Sequence, residues 1–251
     1  GFSQGHFFQH LNSGVEQIFI DTVTRHWKFG NRDNDLFVRQ ATFPTASGEQ
    51  ADFAIIVNNE EPTGAGCIYD ELIFHVFDRN TFKLWDNKIT GGVGLYNSYN
   101  SNCGVGRAHN FEYRVHTRDW RKRAMDFIDL IPEGSYVLVR NNNNPEFTGN
   151  TYPDVWRADT AAFGSGNSLY HKLLEQGFTQ IDSFNRSRAW VFFFRKNDRN
   201  GFTPVMKFST GIYDKLAFGI VAPTPQTSGI ITSPAFGPAK QWKSLRWNGI
   251  Q

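Results

Sequence analysis

Apolar positions recur along this chain mainly at the spacing of strands. Residues 16–23 (EQIFIDTV), 25–29 (RHWKF), 35–43 (DLFVRQATF) and 51–59 (ADFAIIVNN) are short, rich in aromatic and β-branched residues, and separated by polar turns, which predicts four strands. Residues 71–85 (ELIFHVFDRNTFKLW) predict a hairpin, with Asp78, Arg79, Asn80 and Thr81 as its turn. The period then changes. Trp120, Ala124, Phe127 and Ile128 fall at i, i+4, i+7 and i+8, one stripe of a helix, with Thr117 placed to cap it and Asp119 in its first turn. Arg121, Lys122 and Asp126 lie off that stripe, and Arg118, Arg121, Lys122 and Arg123 read as a wet helix face. Pro132-Glu133-Gly134 turns the chain into the apolar strand SYVLVR (135–140), and a polar loop follows from Asn141 to Asn144. A second helix is predicted over 168–176, with Leu169 and Leu173 inward and Gly177 as its stop.

Residues 178–182 (FTQID) and 189–194 (AWVFFF) predict two more strands. The second does not alternate. Trp190, Val191, Phe192, Phe193 and Phe194 follow one another without a polar residue, which a strand tolerates only when both of its faces are covered. The helix bearing Trp120 and Phe127 is the expected cover for one face, and the Leu169/Leu173 helix or facing strands for the other. The tail continues in strands: PVMKF, KLAFGIVA, SGIITSP and WKSLRW. The order is therefore β-rich, mixed, then β-rich. It predicts an α/β module at 71–199 inserted in or joined to a β-sandwich built from 1–70 and 200–251, a fold class of α/β plus all-β.

Composition narrows the function classes. With 16% aromatic and 20% charged residues in 251, the chain has material for a large core, which argues against disorder. A net charge of +2 gives no ground for a nucleic-acid partner, and no apolar run is long enough to insert directly in a membrane. Two cysteines, Cys67 and Cys103, make neither a disulfide scaffold nor a four-thiolate zinc site; they either pair or stay free. The first residues, GFSQGHFFQH, lack a Met and suggest a segment of a longer polypeptide.

Catalytic parts do not assemble in the sequence. Cys103 with His109 or His116 offers a thiol and a base, but no pattern places the thiol at a helix N-terminus. The seven His residues form no HxxxH or HExxH pair, and NRDND (31–35) lacks the glycine and distal glutamate of an EF-hand loop. GGVG and CGVG do not follow a nucleotide-binding strand. The loop from Gly91 to Gly106 is a binding loop or a connection. The expectation is a segment with no catalytic residues, no cofactor and no metal.

Four stretches in order resemble the interleukin-like EMT inducer (ILEI or PANDER-type) domain. These are FHVFDRNTFKLWDNKI, DWRKRAMDFIDLIPEGSYVLV, FGSGNSLYHKLLEQGF and FNRSRAWVFFFRK, within residues 71–197. TSGIITSPAFGPAKQWKSLRW resembles a segment of large secreted Bacteroidota proteins of the type IX secretion, sortase-like (gingipain-type peptidase) class, though that class's catalytic His and Cys segments are not recognisable here. The first resemblance implies an ILEI-like sheet flanked by helices and a recognition role, because members of that family include glycan-recognising modules such as the stem domain of an O-mannose N-acetylglucosaminyltransferase. Where the family carries an acidic residue after the apolar strand, this chain has Asn143, with Asn144 beside it. Where the family carries an arginine before its Trp, this chain has Ser187, flanked by Arg186 and Arg188. Asn143, Asn144, Arg186 and Arg188 are thus the candidate ligand-binding residues, for a glycan. The two resemblances together imply an extracellular or outer-membrane-associated protein that recognises a glycan or a surface or secretion-system protein. The alternative they leave is an accessory part of a sortase-like cysteine peptidase whose active site lies outside this segment.

Overall fold

A computed structural model describes residues 15–16, 18–42, 53–63, 70–87, 92–100, 108–227 and 230–231. In chain order its strands are β1 (Val15–Glu16), β2 (Ile18–Ile20), β3 (Trp27–Phe29), β4 (Asn31–Gln40), β5 (Ala54–Val57), β6 (Glu60–Thr63), β7 (Glu71–Phe77), β8 (Gly92–Val93), β9 (Tyr99–Asn100) and β10 (Phe111–Arg114). There follow helix α1 (Arg118–Leu130), β11 (Tyr136–Asn142), helices α2 (Pro153–Ala158), α3 (Thr160–Phe163) and α4 (Leu169–Glu175), then β12 (Trp190–Arg195), β13 (Val205–Phe208), β14 (Leu216–Pro225) and β15 (Ile230–Ile231). The architecture is β-rich, made of antiparallel sheets with few helices.

The main sheet runs β13-β12-β11-β7-β10-β9-β8, and a second runs β14-β4-β5-β6. The greasy run lies in β12, where alternation divides it between two cores. Trp190, Phe192 and Phe194 join Phe74, Phe127, Val137, Leu169 and Leu173 beneath the helices. Val191 and Phe193 join Leu36, Val38, Ile55, Tyr136, Leu138 and Ala222 beneath the second sheet. Both predicted helices therefore cover the same face, and facing strands cover the other. Only charged flanks at Arg188 and Arg195 reach the surface in part.

Chain segments from before residue 71 and after residue 199 do combine, since β14 pairs with β4, and Asn34 Nδ2 donates to Ala222 O and Thr224 Oγ1 (both 3.0 Å). Their sheet does not make a sandwich by itself. Its apolar face closes on the main sheet, and β13 joins that main sheet beside β12 through pairs such as Phe192↔Met206. By contacts the chain falls into two compact units: one runs Asp33–Thr224, and the other draws on Gly1–Arg32 and Pro225–Gln251. Within the smaller unit β1 pairs with β15 and β2 with β3.

Helix α1 begins as the sequence predicts, with Thr117 accepting a hydrogen bond from Trp120 N. Arg121 departs from expectation. It is 4% exposed, because it flanks the apolar stripe and meets Asp159 with Nε at 2.6 Å and Nη2 at 2.9 Å. Residues 178–182 form no strand; Phe178 N returns to Leu173 O and Ile181 N to Phe178 O, so local turns consume the donors a strand would need. The second arm of the hairpin shrinks to a single bridge, Phe77↔Leu84. Asn141 and Asn142, read as loop, extend β11 instead, paired with Leu72 and Glu71. The segment WKSLRW lies outside the described residues.

Candidate functional site

Antiparallel pairing brings four strand ends to one rim of the main sheet. Asn142 at the end of β11 faces Glu71 at the start of β7, which faces Arg114 at the end of β10. Arg140 faces Val191, so the entry to β12 lies at the same rim. The flanking residues Asp70, Val115, Asn143 and Ser187 therefore converge, and the loop 143–151 crosses between them.

Loop 143–151 is built on asparagine. Asn144 Oδ1 accepts from Glu146 N (2.9 Å) ahead of Pro145, an Asx turn, and Asn144 O accepts from Phe147 N (3.0 Å) and Asn150 Nδ2 (2.7 Å). Asn150 Oδ1 accepts from Asn143 Nδ2 (2.8 Å). At its far end Thr151 N donates to Asp70 Oδ2 (3.2 Å), Thr151 Oγ1 donates to Val115 O (2.8 Å), and Trp156 Nε1 donates to Thr151 Oγ1 (3.0 Å). Phe147 tops the loop at 40% exposure, its ring edge-on to His116 with centroids 5.9 Å apart. Its position requires Gly149: a Cβ there would lie 2.5 Å from Phe147 Cζ. Glycine serves here for close approach.

Electrostatics under the loop centre on Asp70. Burial is the dominant cause and pushes its carboxyl up to about 7, against the Thr151 N–H, the Asn143 side chain and the charge of Arg121. His116 is held below its ordinary value by burial, then by Arg114 and Arg121, so its imidazole is neutral at pH 7.

Of the four candidate ligand residues, Asn143 is buried and acts from beneath the loop, while Asn144 is half-buried within it. The two arginines point elsewhere. Arg186 Nη2 donates to Thr210 O (3.1 Å); Arg188 donates to Ser183 O (3.3 Å) and Ser209 O, and its guanidinium lies 5.3 Å from the Phe208 ring centroid. The two stretches still meet through their frames, as Asn141 Nδ2 donates to Arg188 O (2.8 Å) and Tyr152 Oη lies 3.0 Å from Ser187 Oγ.

A second polar group went unmarked in the sequence. On the sheet face opposite the helices, Glu71 and His75 of β7, Glu112 and Arg114 of β10, and Arg140 of β11 occupy alternate positions. Arg114 Nε donates to Glu71 Oε1 (3.3 Å), Asn110 Nδ2 donates to Glu112 Oε1 (3.3 Å), and Arg140 Nε donates to His75 Nε2 (3.1 Å). His75 Nε2 is then an acceptor, and Nδ1 carries the proton toward His109 O (3.2 Å); burial first, then Arg140, keeps this ring neutral. Arg140 also stacks 4.0 Å from the Phe53 centroid. Polar residues at period two within otherwise apolar strands were the available signal.

Among the described residues no group of three or more His, Cys, Asp or Glu is placed to hold a metal ion, and no helix is long and apolar enough to cross a membrane. Cys67 and Cys103 lie outside the described residues, as does most of the loop from Gly91 to Gly106; His109 Nδ1 is engaged by Trp85 O at 3.0 Å. Compared with known proteins, the chain matches no family model and no curated relative.

Proposed function

We propose that the rim loop 143–151 recognises a glycan without catalysis, as part of an ILEI-like module in a secreted or surface protein. The observation carrying this reading is the exposed Phe147 ring, fixed across Gly149 and against His116, among the amides of Asn144 and Asn150. Sugar recognition asks for an immobile apolar face for the C–H side of a pyranose and planar polar groups for its hydroxyls. A loop whose amides are already bonded to its own backbone loses little entropy on binding. The order of motifs within 71–197 supports the same reading, and Asn143 in the place of an acidic residue changes the expected role from direct charged contact to support of Asn150.

A glycan array probed with the full chain, followed by titration of its best ligand against Phe147→Ala, tests this. A loss of about tenfold or more in affinity is expected on removing a stacking ring, by analogy with the roughly 1–3 kcal/mol that aromatic stacking contributes to base binding. No glycan bound, or one bound equally by Phe147→Ala, would overturn it.

A further inference from the structure

The strands that end the two larger sheets are not protected alike. An edge strand offers unpaired N–H and C=O groups to any other strand, and brevity, charge or proline normally blunts it. In the main sheet β8 is two residues long, and β13 is four, with exposed Lys207 inside it. In the second sheet β6 carries Glu60 and Pro62. The opposite edge of that sheet is β14, whose stretch 216–222 (LAFGIVA) holds neither charge nor proline.

A proline fixes which way the residues of β14 point. Pro223 has no N–H, so within a strand that bonds β4 its nitrogen faces away from β4. Its carbonyl agrees, accepting from Tyr136 Oη (2.6 Å) of the main sheet rather than from β4. Counting back by twos, Ala217, Gly219 and Val221 turn their N–H and C=O groups to the open side. All three are exposed, Val221 at 53%, and a Cβ built on Gly219 meets nothing within 4 Å. Among the described residues β4 is the one strand beside β14.

An edge of this kind takes an extended strand, and the outer face of the sheet selects among strands. Gln226 N donates to Gly30 O (2.9 Å) and Asn34 Nδ2 to Ala222 O (3.0 Å), a register that sets Asp35 beside Val221, Phe37 beside Gly219 and Arg39 beside Ala217. We propose that β14 pairs with β14 of a second copy of this chain, antiparallel about a two-fold axis at Gly219, so that their second sheets become continuous. Ala217 then faces Val221 of the partner subunit, Gly219 faces Gly219 of the partner subunit, and each pair exchanges two N–H···O=C bonds. The rows on either side of the axis run from Arg39 of one copy to Asp35 of the other, so each joins a basic end to an acidic one across small apolar residues. On the axis the exposed Phe37 ring of each copy flanks the glycine pair, and Ile56, opposite Phe37 on β5, extends the apolar row. Sliding the pairing two residues toward the end of β14 brings in Pro223, which has no N–H to give. The dimer needs neither the rim loop nor a ligand.

Light scattering of the full chain over a concentration series, with Val221→Lys and Gly219→Cys, tests this. The wild type is expected to pass from monomer to dimer as concentration rises. Val221→Lys, which sets a lysine at the edge and beside Arg39 of the partner subunit, is expected to weaken the dimer by about tenfold or more while its monomer unfolds as the wild type's does. A hydrogen-bonded antiparallel pair holds its Cα atoms about 5.5 Å apart, within disulfide reach, so oxidised Gly219→Cys should yield a peptide linked through residue 219 of both copies in mass spectrometry. A wild type that stays monomeric would overturn the proposal, whether its Gly219 and Val221 amides exchange freely or are protected from within the chain. So would a dimer that Val221→Lys leaves intact, or one that Gly219→Cys does not link at residue 219. Should Val221→Lys not fold, the wild-type mass and the Gly219→Cys link decide.

Discussion

Phe192 and Phe193 are adjacent in sequence and belong to different cores. Phe192 stacks on Phe178 with centroids 4.4 Å apart and planes at 9°, under the helices. Phe193 stacks on Tyr136 at 5.6 Å and 6°, under the second sheet. One strand thus ties two apolar layers together, which accounts for a run with no polar residue.

Truncating either ring leaves a cavity in a different layer. Phe192→Ala and Phe193→Ala should each cost about 3–5 kcal/mol in denaturant unfolding. Phe192→Asp and Phe193→Asp should abolish cooperative folding, since each buries an unpaired charge. Near wild-type stability in the two Asp variants would refute burial on both sides.

Arg121 and Asp159 form a buried pair, and pairs of this kind punish the loss of one member more than of both. Arg121→Met alone should destabilise by about 3–5 kcal/mol, while adding Asp159→Leu should recover a large part of that loss. A double-mutant cycle by thermal or chemical unfolding measures it; purely additive losses would contradict the pairing.

Gly149 predicts a change confined to the loop. Its negative or extended φ gives glycine no conformational privilege here, so Gly149→Ala acts through the clash with Phe147 alone. Stability should move by no more than about 1 kcal/mol, as for surface substitutions away from the core. The His116 ring-proton shifts, set by the Phe147 ring beside them, should move clearly. Unchanged His116 shifts would show that the two rings are not held together.

Asp70 also sets a pH dependence of folding. Its native carboxyl, at about 7, retains a proton that the unfolded chain has released above 3.8. The native state binds more protons in that window, so this group's contribution declines as pH rises from about 4 to about 7 and is flat beyond. The slope should correspond to a few kcal/mol at most, on the order of 1.4 kcal/mol for each pH unit crossed. Unfolding of Asp70→Asn should lack that slope, which a denaturant series at several pH values will show.

What could be read from sequence was what local physics decides. Thr117 caps its helix as read, because its hydroxyl reaches a free backbone N–H and no distant residue is needed; Ser168, read as the first residue of the next helix, caps it in the same way. The apolar run of β12 announces cover on two faces, but not which elements provide it; that depends on β4, β5 and β14, far away in the chain. Helices α2 and α3 went unpredicted: Pro153 and Asp154 mark a start for α2, but each helix is too short to show a periodic stripe. Arg121 misled because its charge suggests water, and the partner that neutralises it, Asp159, is 38 residues away. At the rim, the asparagines identify a polar loop. Only the fold places Asp70 under them, since it arrives from another strand.

The central claim is that the rim loop is where this protein meets its ligand. Amide chemical-shift mapping of the isotope-labelled chain, titrated with the best glycan from an array, tests it most directly. The account predicts shifts concentrated at His116 and residues 144–151, with the distant turn at 78–82 unmoved. Shifts centred on any other surface, with the rim silent, would contradict it.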